Sequence, residues 1–381
     1  MKKYRVGVVG IGLVGQEILR VLLARKFPLA ESIKILALHP REIELEDKTF
    51  EVKKATSQEL DGLDFVFFAG TEGEKGASVT LAPEAIKRGA IVIDNGADFR
   101  LNPEVPLVVP EVNPEDLKWH KGLIANPNCS TIQLVVALAP IHRIARIRRI
   151  VVSTYQAVSG IGTKGIEELR SEAMERFAGS GNIKTEKFEK QLRIHKMCEN
   201  LPALVLRILR QRPGCQSVVP YLEKKIFPQR IGFNLFPQIG EFSELGYSAE
   251  EWKMVKETQK ILHDDSIHIN ATCVRVPVFN GHAESVYIET EKKLSLEEIY
   301  EILKNAPQVK LLREKYPTPI EVSGKDEVFI GRIRKDPFQD NAFSLWTVAD
   351  NLRKGAATNA VQIAEKILEI QLSQTLELTK N

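Results

Sequence analysis

The sequence predicts an α/β protein of two domains, in which a parallel sheet with helices on its faces is followed by a domain of α+β type. Three observations predict this fold class. The chain has 381 residues, which is enough for two domains with substantial cores. Its first third alternates between apolar strands and helices. The middle of the chain is instead rich in β-branched residues and lacks regular helical crossovers.

The first third of the chain contains apolar runs with the length of buried strands, separated by runs with the length of helices. The predicted strands are YRVGVVG, KILALH, DFVFFAG and IVIDNG, and the predicted helices are QEILRVLLARKF and PEAIKRG. Parallel strands need a crossover connection, and a helix is the usual one. The alternation continues to about Cys129 and predicts a parallel sheet.

The remainder of the chain predicts the second domain. Its predicted strands are RRIVVSTYQAVSG, ATCVRVPVF, HAESVYIETE and VFIGRIRKD, and its clearest helices are EEWKMVKETQKIL and SLEEIYEILKNA. The last run, AATNAVQIAEKILEIQL, is an amphipathic helix that we expect to pack on the first domain. We therefore assign residues 1–133 with 353–381 to the first domain and 134–352 to the second. The basic segment at 181–228 receives no role.

Composition and charge argue against several classes of function. Hydrophobic residues make up 43% of the chain, charged residues 27%, and the net charge is +3. No basic block is long enough to form a nucleic-acid-binding arm, so no nucleic acid is expected as a partner. The cysteines at 129, 198, 215 and 273 form no CxxC pair. Their spacing argues against a metal site or a disulfide framework and fits a reducing compartment.

The N-terminus could pass for a targeting segment, because two lysines precede an apolar run. The uncharged run at 6–16 is only 11 residues long and contains three glycines. It is too short for a membrane span, and no small-residue cleavage pattern follows it. We therefore expect a cytoplasmic protein that does not associate with membranes.

A glycine-rich loop follows the first predicted strand and opens the first predicted helix. Gly10, Gly12 and Gly15 give it the pattern G-x-G-x-x-G, with Leu13 and Val14 between the last two glycines. Such glycines allow a tight turn and a close approach of the backbone to a pyrophosphate at a helix N-terminus. The context predicts a Rossmann-type dinucleotide-binding domain. The alternative is a turn before a helix in a domain that binds no nucleotide.

The end of the second predicted strand bears on the choice of dinucleotide. An NAD-binding domain usually has an acidic residue there, which binds the ribose 2′-hydroxyl. This chain has Leu38-His39-Pro40-Arg41 instead, and the first acid is Glu42. Arg41 or His39 could meet the 2′-phosphate of NADP.

The hexapeptide NPNCST, residues 126–131, places Cys129 just ahead of the long apolar run IQLVVALAPI. Ser130 and Thr131 are good residues for starting a helix, so the thiol should lie at a helix N-terminus. The helix dipole and the free N–H groups there favour a thiolate. The alternative is a small buried hydrophobic residue, which is the commoner environment of a free cysteine.

Several motifs occur in one order along nearly the whole chain. They are GxGxxG, PEVNP, NPNCST, STYQAVSG, FNLFPQIG, EEWKMVKET, ATCVRVPVFNGHAESVYIET, VFIGRIRKD and DNLRKGAA. Together they closely resemble the bacterial aspartate-semialdehyde dehydrogenases. The resemblance implies a fold like that of glyceraldehyde-3-phosphate dehydrogenase, with an NADP-binding domain and a domain for substrate binding and dimerisation. It also implies a homodimer or homotetramer and no metal.

The same resemblance implies a reaction. The family converts L-aspartyl-4-phosphate to L-aspartate 4-semialdehyde and inorganic phosphate, using NADPH and a cysteine thioacyl intermediate. This oxidoreductase step belongs to the biosynthesis of diaminopimelate and lysine, threonine and methionine.

Residue roles are carried over from the family onto matching positions of this chain. Cys129 would be the nucleophile, His282 the acid/base, and Gln156 the residue that orients the thioacyl group. Arg275 would bind the α-carboxylate of the substrate and Glu250 its amino group. Arg100, Lys253 and Asn128 would hold the phosphate. The implied cofactor-binding residues are Gly10, Gly12, Leu13, Val14, Gly15, Ser159, Gly160 and Asn351.

This sequence departs from the family pattern outside the catalytic set. The family loop usually reads GATGAVG, whereas this chain has GIGLVG. The segment after DN is Gly96-Ala97-Asp98 rather than a hydroxyl-rich one, and the ribose-phosphate region lacks the usual serine. These departures bear on cofactor preference.

The proposed chemistry explains why these residue types are needed. A thiolate divides the reduction of an acyl phosphate into acyl transfer to sulfur and reduction of the thioester. A free thiol is mostly protonated at neutral pH, so a base or the helix N-terminus must activate it. His282 would supply a group that titrates in the working range.

Each residue also has an ordinary structural interpretation. Arg275 could lie on an exposed strand face, and His282 could be a surface residue at a strand start. Glu250 and Lys253 could form an ordinary helical ion pair behind a Ser248–Glu251 capping box. Arg100, considered alone, is equally compatible with a structural and with a functional role. His195, Cys198 and Cys215 are interpreted as structural.

Two other functions remain as alternatives. N-acetyl-γ-glutamyl-phosphate reductase uses the same fold, thiol and histidine, but its cysteine motif is typically NPGCY. The other alternative is a non-catalytic NADP-binding regulator, which would be expected to lack Cys129 or His282.

Overall fold

The computed structural model describes residues 2–46, 48–70, 72–178 and 226–378, and two β-sheets organise them. Most of the basic segment at 181–228 lies outside these residues, and so do His195, Cys198 and Cys215. The predicted α/β fold class is confirmed, because a largely parallel sheet is followed by a mixed one.

The first sheet has seven strands within the described residues, in the spatial order β3-β4-β2-β1-β5-β6-β7. They are β1 (Val6–Val9), β2 (Lys34–Ala37), β3 (Arg41–Leu45), β4 (Lys48–Lys54), β5 (Phe65–Phe68), β6 (Ile91–Asp94) and β7 (Leu123–Ala125). Neighbours are parallel except β3 and β4, which form an antiparallel pair at the sheet edge. The sequence does not predict this pair, because its residues are mostly charged and only Leu45 and Val52 are buried.

The second sheet has six strands within the described residues, in the spatial order β11-β12-β13-β10-β8-β9. They are β8 (Ile147–Gln156), β9 (His268–Arg275), β10 (His282–Thr290), β11 (Val309–Leu311), β12 (Val328–Lys335) and β13 (Ala342–Ala349). The β8–β9 and β11–β12 pairs are parallel and the other pairs are antiparallel. The sheet is therefore mixed.

The described residues contain eight α-helices. They are α1 (Leu13–Ala24), α2 (Ala77–Lys87), α3 (Cys129–Ala145), α4 (Thr163–Ala178), α5 (Ala249–Leu262), α6 (Leu296–Lys304), α7 (Pro319–Val322) and α8 (Thr358–Leu378). A π-helical turn, Arg353–Ala357, leads directly into α8. The Ser248–Glu251 capping box predicted at the start of α5 is confirmed.

Helices cover both faces of the first sheet, because alternate residues of each strand point to opposite faces. Val8 of β1 shares a core with Ile18 of α1 and Val361 of α8. The neighbouring Val9 belongs to a separate core with Ala82 of α2. The C-terminal helix thus returns to the first sheet and packs beside α1.

Helix α3 connects the two sheets. It begins four residues after β7 ends, at the carboxyl edge of the first sheet. Its buried residues Leu134 and Leu138 belong to the same core as Ile150 of β8 and Val286 of β10. The first turn of α3 therefore faces the first domain while the rest of the helix fills the core of the second.

Candidate active site

A cavity of about 370 Å³ lies where the carboxyl edge of the first sheet meets the second domain. In open α/β sheets this edge is where ligands bind. The cavity brings together most of the residues that the sequence singles out. It is lined by Val14, Ala69, Gly70, Glu72, Asn95, Arg100, Asn126, Pro127, Asn128, Cys129, Gln156, Ser159, Gly160, Ile161, Ile239, Glu250, Lys253, Arg275, Asn351, Leu352, Gly355 and Ala356.

Cys129 is the first residue of α3 and is partly exposed to the cavity. Asn128 caps the helix, and its side-chain oxygen accepts hydrogen bonds from the backbone N–H groups of Ser130 (3.0 Å) and Thr131 (3.2 Å). The predicted position of the thiol at a helix N-terminus is confirmed. The two N–H groups that might have stabilised a thiolate are already occupied by Asn128.

The expectation that this position favours the thiolate is wrong for the ligand-free protein. Burial, together with the carboxylate of Glu250, raises the pKa of the Cys129 thiol to about 12. The nearby cations Arg100, Arg275 and Lys253 act in the opposite direction but do not outweigh burial. Desolvation disfavours the charged form of any group that is withdrawn from water. The thiol is therefore protonated at neutral pH.

Glu250 connects two elements that flank the thiol. Its Oε1 accepts from the side-chain nitrogens of Asn128 (2.9 Å) and Gln156 (3.2 Å). Gln156 also donates to the hydroxyl of Ser130 at 2.9 Å. This network fixes the end of β8 against the first turn of α3, so the Gln156 amide is held beside Cys129.

Arg275 and His282 meet through the backbone of Ala157. The Arg275 guanidinium donates to the Ala157 carbonyl at 2.5 Å, and the Ala157 N–H donates to His282 Nδ1 at 3.0 Å. Arg275 is only 4% exposed and lines the cavity, so the exposed-face interpretation is wrong. His282 is fully buried behind Gly160, where a Cβ on that glycine would lie 3.4 Å from Nε2.

The hydrogen bond to Nδ1 determines where the proton of the neutral His282 ring lies. Because Nδ1 accepts, the neutral ring carries its proton on Nε2. Burial and the Arg275 guanidinium lower the pKa of His282 to about 3, while the Gly281 backbone acts in the opposite direction. The expectation that His282 titrates in the working range is therefore wrong for the ligand-free protein. In this state the ring can donate from Nε2 but cannot accept a proton there.

Arg100 and Lys253 supply positive charge to the cavity. Arg100 donates to the carbonyl of Asn95 (2.7 Å) and contacts Glu257 (3.3 Å). Lys253 lies 3.6 Å from Glu250, so these two residues form the helical ion pair that was one interpretation of the sequence. The ion pair nevertheless lies in the wall of the cavity.

Glu257 is a site residue that the sequence analysis does not single out. It is almost fully buried, and its second oxygen accepts from the backbone N–H of Asn128 at 2.6 Å. One carboxylate thus holds Arg100 and the residue before Cys129 in a single arrangement. Glu250, Lys253 and Glu257 have helical spacing on α5, and this spacing is the signal in the sequence that could have identified Glu257.

The glycine loop meets the geometric needs of a dinucleotide site. Gly10 has a positive φ of 95°, and a Cβ on Gly15 would lie 2.0 Å from the Gly10 carbonyl, so both positions need glycine for the fold itself. Gly12 is different, because a Cβ there would meet no atom within 4 Å. It precedes α1, which has no side-chain cap. The open space beside an uncapped helix start fits a pyrophosphate.

The implied cofactor residues are distributed over two regions. Val14, Ser159, Gly160 and Asn351 line the cavity, and Asn351 donates to the Ser159 hydroxyl at 3.0 Å. Gly10, Gly12, Leu13 and Gly15 form the turn and helix start beside it but are not part of its wall. His39 and Arg41 lie further away, exposed, after the end of β2 and at the start of β3.

The described residues provide neither a metal-binding cluster nor a membrane-spanning helix. Within the residues that the structure describes, no group of three or more His, Cys, Asp or Glu side chains could hold a metal ion. Among the helices described, none is long and apolar enough to cross a membrane.

Two family models and several known proteins match this chain. Residues 5–120 match the family described as "Semialdehyde dehydrogenase, NAD binding domain", and residues 138–354 match "Semialdehyde dehydrogenase, dimerisation domain". The chain is 46% identical to an aspartate-semialdehyde dehydrogenase of Aquifex aeolicus, over 96% of this chain and 98% of that protein. It is 40% identical to the Bacillus subtilis enzyme of the same name, with the same coverage.

A solved structure shares the fold. It is aspartate semialdehyde dehydrogenase II of Vibrio cholerae, complexed with ASA. The TM-score is 0.82 at 38% sequence identity, and the match covers 97% of this chain and 99% of that chain.

Proposed function

This chain belongs to the aspartate-semialdehyde dehydrogenase family, and on that premise we propose how its own residues carry out the reductive dephosphorylation of L-aspartyl-4-phosphate with NADPH. The supporting observation is that Cys129, Gln156, Glu250 and Arg275 line one cavity, with His282 directly behind Gly160. The product, L-aspartate 4-semialdehyde, belongs to the route to diaminopimelate and lysine, threonine and methionine.

In the acyl-transfer step, the Cys129 sulfur attacks the acyl carbon of the substrate. A carbon–sulfur bond forms, the carbon–oxygen bond to phosphate breaks, and inorganic phosphate leaves with the bonding electrons and takes up the proton lost by the thiol. Arg100 and Lys253, with Asn128, hold the phosphate at the first turn of α3. These cations also favour the thiolate, which opposes the effect of burial on the thiol.

In the reduction step, NADPH held by the glycine loop and by Ser159 and Gly160 would supply the hydride that reduces the thioester carbon. Negative charge then develops on the former carbonyl oxygen, and the carbon–sulfur bond breaks to give the aldehyde. His282 presents an N–H at Nε2 and would stabilise this oxygen as a hydrogen-bond donor. A base role for His282 would require the other tautomer, in which the bond from the Ala157 N–H is broken.

Two charged residues would bind the amino-acid end of the substrate. Arg275 uses part of its guanidinium on the Ala157 carbonyl and keeps further N–H donors for an α-carboxylate. Glu250 would accept from the α-amino group. Gln156, fixed by Ser130 and Glu250, would orient the thioacyl group.

The proposed preference for NADP over NAD rests on the residues that follow the end of β2. No Asp or Glu lies there, and the exposed His39 and Arg41 are the nearest polar residues that could meet a 2′-phosphate. Gly10, Gly12, Leu13, Val14 and Gly15 would hold the pyrophosphate, while Ser159, Gly160 and Asn351 would hold the nicotinamide half. NADP is therefore the proposed cofactor, and no metal takes part.

The match to a dimerisation domain supports an oligomer, and a homodimer or homotetramer is proposed. A cytoplasmic location is also proposed. The division at residues 133 and 352, with a nucleotide-binding and a substrate-binding part, is a proposal of the same kind. The N-acetyl-γ-glutamyl-phosphate reductase alternative is not favoured by the relatives found, which are aspartate-semialdehyde dehydrogenases.

The test is an assay of the purified protein with L-aspartate 4-semialdehyde, inorganic phosphate and NADP⁺, which should form NADPH. Cys129→Ala should lower turnover by at least about 10³-fold, because the covalent route is lost, while leaving NADP binding intact. Cys198→Ala and Cys215→Ala serve as controls and should remain active. Near-native turnover of Cys129→Ala would end the thiol mechanism, and turnover only with N-acetyl-glutamate semialdehyde would favour the alternative.

A further inference from the structure

A second row of buried polar residues lies directly beneath the catalytic row of the second sheet. Gln156 ends β8 and His282 begins β10, and both point toward α3. Thr154 lies two residues before Gln156 on β8, and Glu284 lies two residues after His282 on β10. Residues two apart on a strand share a face, so Thr154 and Glu284 lie on the same face as the catalytic row. Both are completely buried. The row is therefore part of the protein interior and lies one step below the site.

The strand register aligns this second row across the sheet. Glu284 pairs with Thr154 of β8 on one side and with Thr347 of β13 on the other. Side chains at paired positions of neighbouring strands lie side by side. On α3, Gln133 lies one helical turn after Cys129, and its amide faces the Glu284 carboxyl. Glu284 thus lies at the centre of a polar cluster formed by four elements.

The cluster has unused hydrogen-bonding capacity. Among the described residues, neither oxygen of Glu284 makes a hydrogen bond within ordinary geometric limits, and neither does either amide atom of Gln133. The hydroxyls of Thr154 and Thr347 are in the same situation. Buried polar groups in folded proteins nearly always find partners, directly or through an ordered water. The Glu284 carboxyl and the Gln133 amide, which face each other, therefore have the groups needed to satisfy one another.

The surroundings of Glu284 do not suit a carboxylate. The titratable groups on the packed elements are Cys129 of α3, Cys273 of β9, Glu251 of α5 and His282 of its own strand. The cations of the site, Arg100 and Lys253, pair with Glu257 and Glu250 instead. Burial raises the pKa of Glu284 well above its usual value, and only Gln133 acts in the opposite direction. A buried charge without a partner is strongly unfavourable, so the neutral form is favoured.

We propose that Glu284 is a positioning residue that works as a neutral carboxylic acid and ties the turn of α3 that carries Cys129 to the strand that carries His282. A neutral carboxyl offers one donor and one acceptor, which complement the oxygen and the NH₂ of the Gln133 amide. An ionised carboxylate offers acceptors only and would leave the Gln133 oxygen without a donor. The proposal rests on the catalytic roles given to Cys129 and His282 above.

The expected effect of losing this link is on the rate of the chemical step. Arg275 and Arg100, which would anchor the substrate, are held by Ala157 and Glu257 rather than by the cluster. Substrate binding should therefore survive while the thiol and the imidazole lose their relative position. A displacement of about 1 Å in a catalytic group can cost roughly 10²-fold in rate.

The kinetic test compares two substitutions at one position. Glu284→Leu should lower kcat by roughly 10²-fold with KM for L-aspartate 4-semialdehyde little changed. Glu284→Gln, which is neutral and keeps a donor and an acceptor, should restore most of kcat. Gln133→Leu should reproduce the loss, and combining it with Glu284→Leu should add little, because both remove one link. If Glu284→Gln were as impaired as Glu284→Leu, the neutral-acid role would be overturned.

The protonation state of Glu284 is tested by the pH dependence of folding stability. This measurement requires neither enzymatic activity nor the Glu284→Leu variant. The unfolded chain ionises this residue above its usual pKa of 4.5, whereas the folded chain keeps it protonated. The wild type should therefore lose stability relative to Glu284→Gln as pH rises above that value. The folding equilibrium constants should diverge about tenfold per pH unit, up to the raised folded pKa.

Urea unfolding of both proteins at about pH 6 and about pH 8 measures the divergence. An infrared band of a protonated carboxyl, present in the wild type at neutral pH and absent from Glu284→Gln, is the spectroscopic counterpart. Parallel stability curves without such a band would overturn the proposal. Absence of turnover in the wild type would instead count against the proposed function, and the stability comparison would remain decisive for Glu284.

Discussion

At the scale of single residues, the site combines a protonated thiol with a neutral histidine whose Nε2 proton lies beside Gly160. Burial explains both states, since it raises the pKa of Cys129 and lowers that of His282. Neither residue has the charge that free amino acids would suggest at neutral pH. Attack by the thiolate therefore requires a change in the balance between burial, which favours the thiol, and the surrounding cations, which favour the thiolate.

The protonated thiol predicts a slow reaction with alkylating reagents. With a pKa of about 12, Cys129 should react with iodoacetamide on the order of 10³-fold more slowly than free cysteine at pH 8. The rate should still increase about tenfold per pH unit at pH 9, where free cysteine is already levelling off. Peptide mass spectrometry measures labelling at this position, and Cys129→Ala provides the blank. Fast labelling at neutral pH would show that the thiolate is already present.

Arg275→Lys tests the proposed α-carboxylate site. Lysine keeps the charge but loses the fork that can bind a carboxylate while also donating to the Ala157 carbonyl. A charge-assisted hydrogen bond contributes about 1.5–3 kcal/mol. The kcat/KM for L-aspartate 4-semialdehyde should therefore fall by about ten- to a hundredfold. The KM for phosphate is the internal control and should change little. A change confined to phosphate would reverse the assignment of the two anion sites.

At the scale of secondary-structure elements, the π-helical turn before α8 limits the space behind Cys129. Gly355 in this turn approaches the nucleophile so closely that a Cβ would lie 2.9 Å from the Cβ of Cys129. A π-helical turn often occurs at a functional site. The turn places backbone rather than a side chain behind the thiol, and this leaves no room for Cys129 to retreat from the substrate.

Gly355→Ala should therefore displace Cys129 or the turn by a few tenths of an ångström or more. We expect kcat to fall by up to about 10²-fold, with NADP affinity and thermal stability affected less. Gly355→Val should be worse than alanine, which gives a graded series. Stopped-flow detection of NADPH formation measures the step. Native kcat in the alanine variant would mean that this close contact does not restrain the thiol.

The elements of the fold could be predicted from the sequence where a buried strand or helix also shows a clear pattern of apolar residues. Strands β1, β2, β5 and β6 are continuous apolar runs, and their parallel pairing follows from the helices between them. The β3–β4 pair escapes prediction because an exposed edge strand carries no apolar period. Strand β13 is different, since AFSLWTVA has strand character and the sequence analysis nevertheless leaves it unassigned.

The candidate site shows the same division. The start of α3 at Cys129 could be predicted from local capping chemistry, and the family resemblance indicated Arg275 and His282. The protonation states could not be predicted, because burial depends on elements that are distant in sequence. Glu257 and Glu284 contact the site through tertiary packing and strand register, respectively. For Glu257 the only signal in the sequence is its helical spacing from Glu250 and Lys253, and for Glu284 no local motif gives one.

At the scale of the whole molecule, the proposed cofactor has to extend across the first domain. The nicotinamide end would lie at Ser159 and Gly160 in the cavity, whereas Arg41 stands at the start of the edge strand β3. The glycine loop follows β1, which is separated from β3 by β2 and β4 in the sheet order. The residues proposed to select the cofactor thus lie outside the cavity that holds the proposed catalytic residues.

This separation predicts that Arg41→Ala affects cofactor choice alone. The KM for NADP should increase by about ten- to a hundredfold, because one charged hydrogen bond to the 2′-phosphate is lost. The KM for NAD and the kcat with either cofactor should stay nearly unchanged. Steady-state kinetics with both cofactors measures this, and His39→Ala is the matched comparison. Should the KM for NAD rise in parallel, Arg41 would be supporting the loop rather than binding the phosphate.

The continuity of α3 has a consequence for engineering this enzyme by recombination. The sequence places a domain division between residues 133 and 134, but α3 runs unbroken from Cys129 to Ala145. Its apolar side chains are packed into the core of the second sheet. A chimera that joined the nucleotide-binding part of one relative to the remainder of another at residue 133 would pair a foreign first turn with a native helix. Crossover before Asn126 would instead transfer the nucleophile together with the core that supports it.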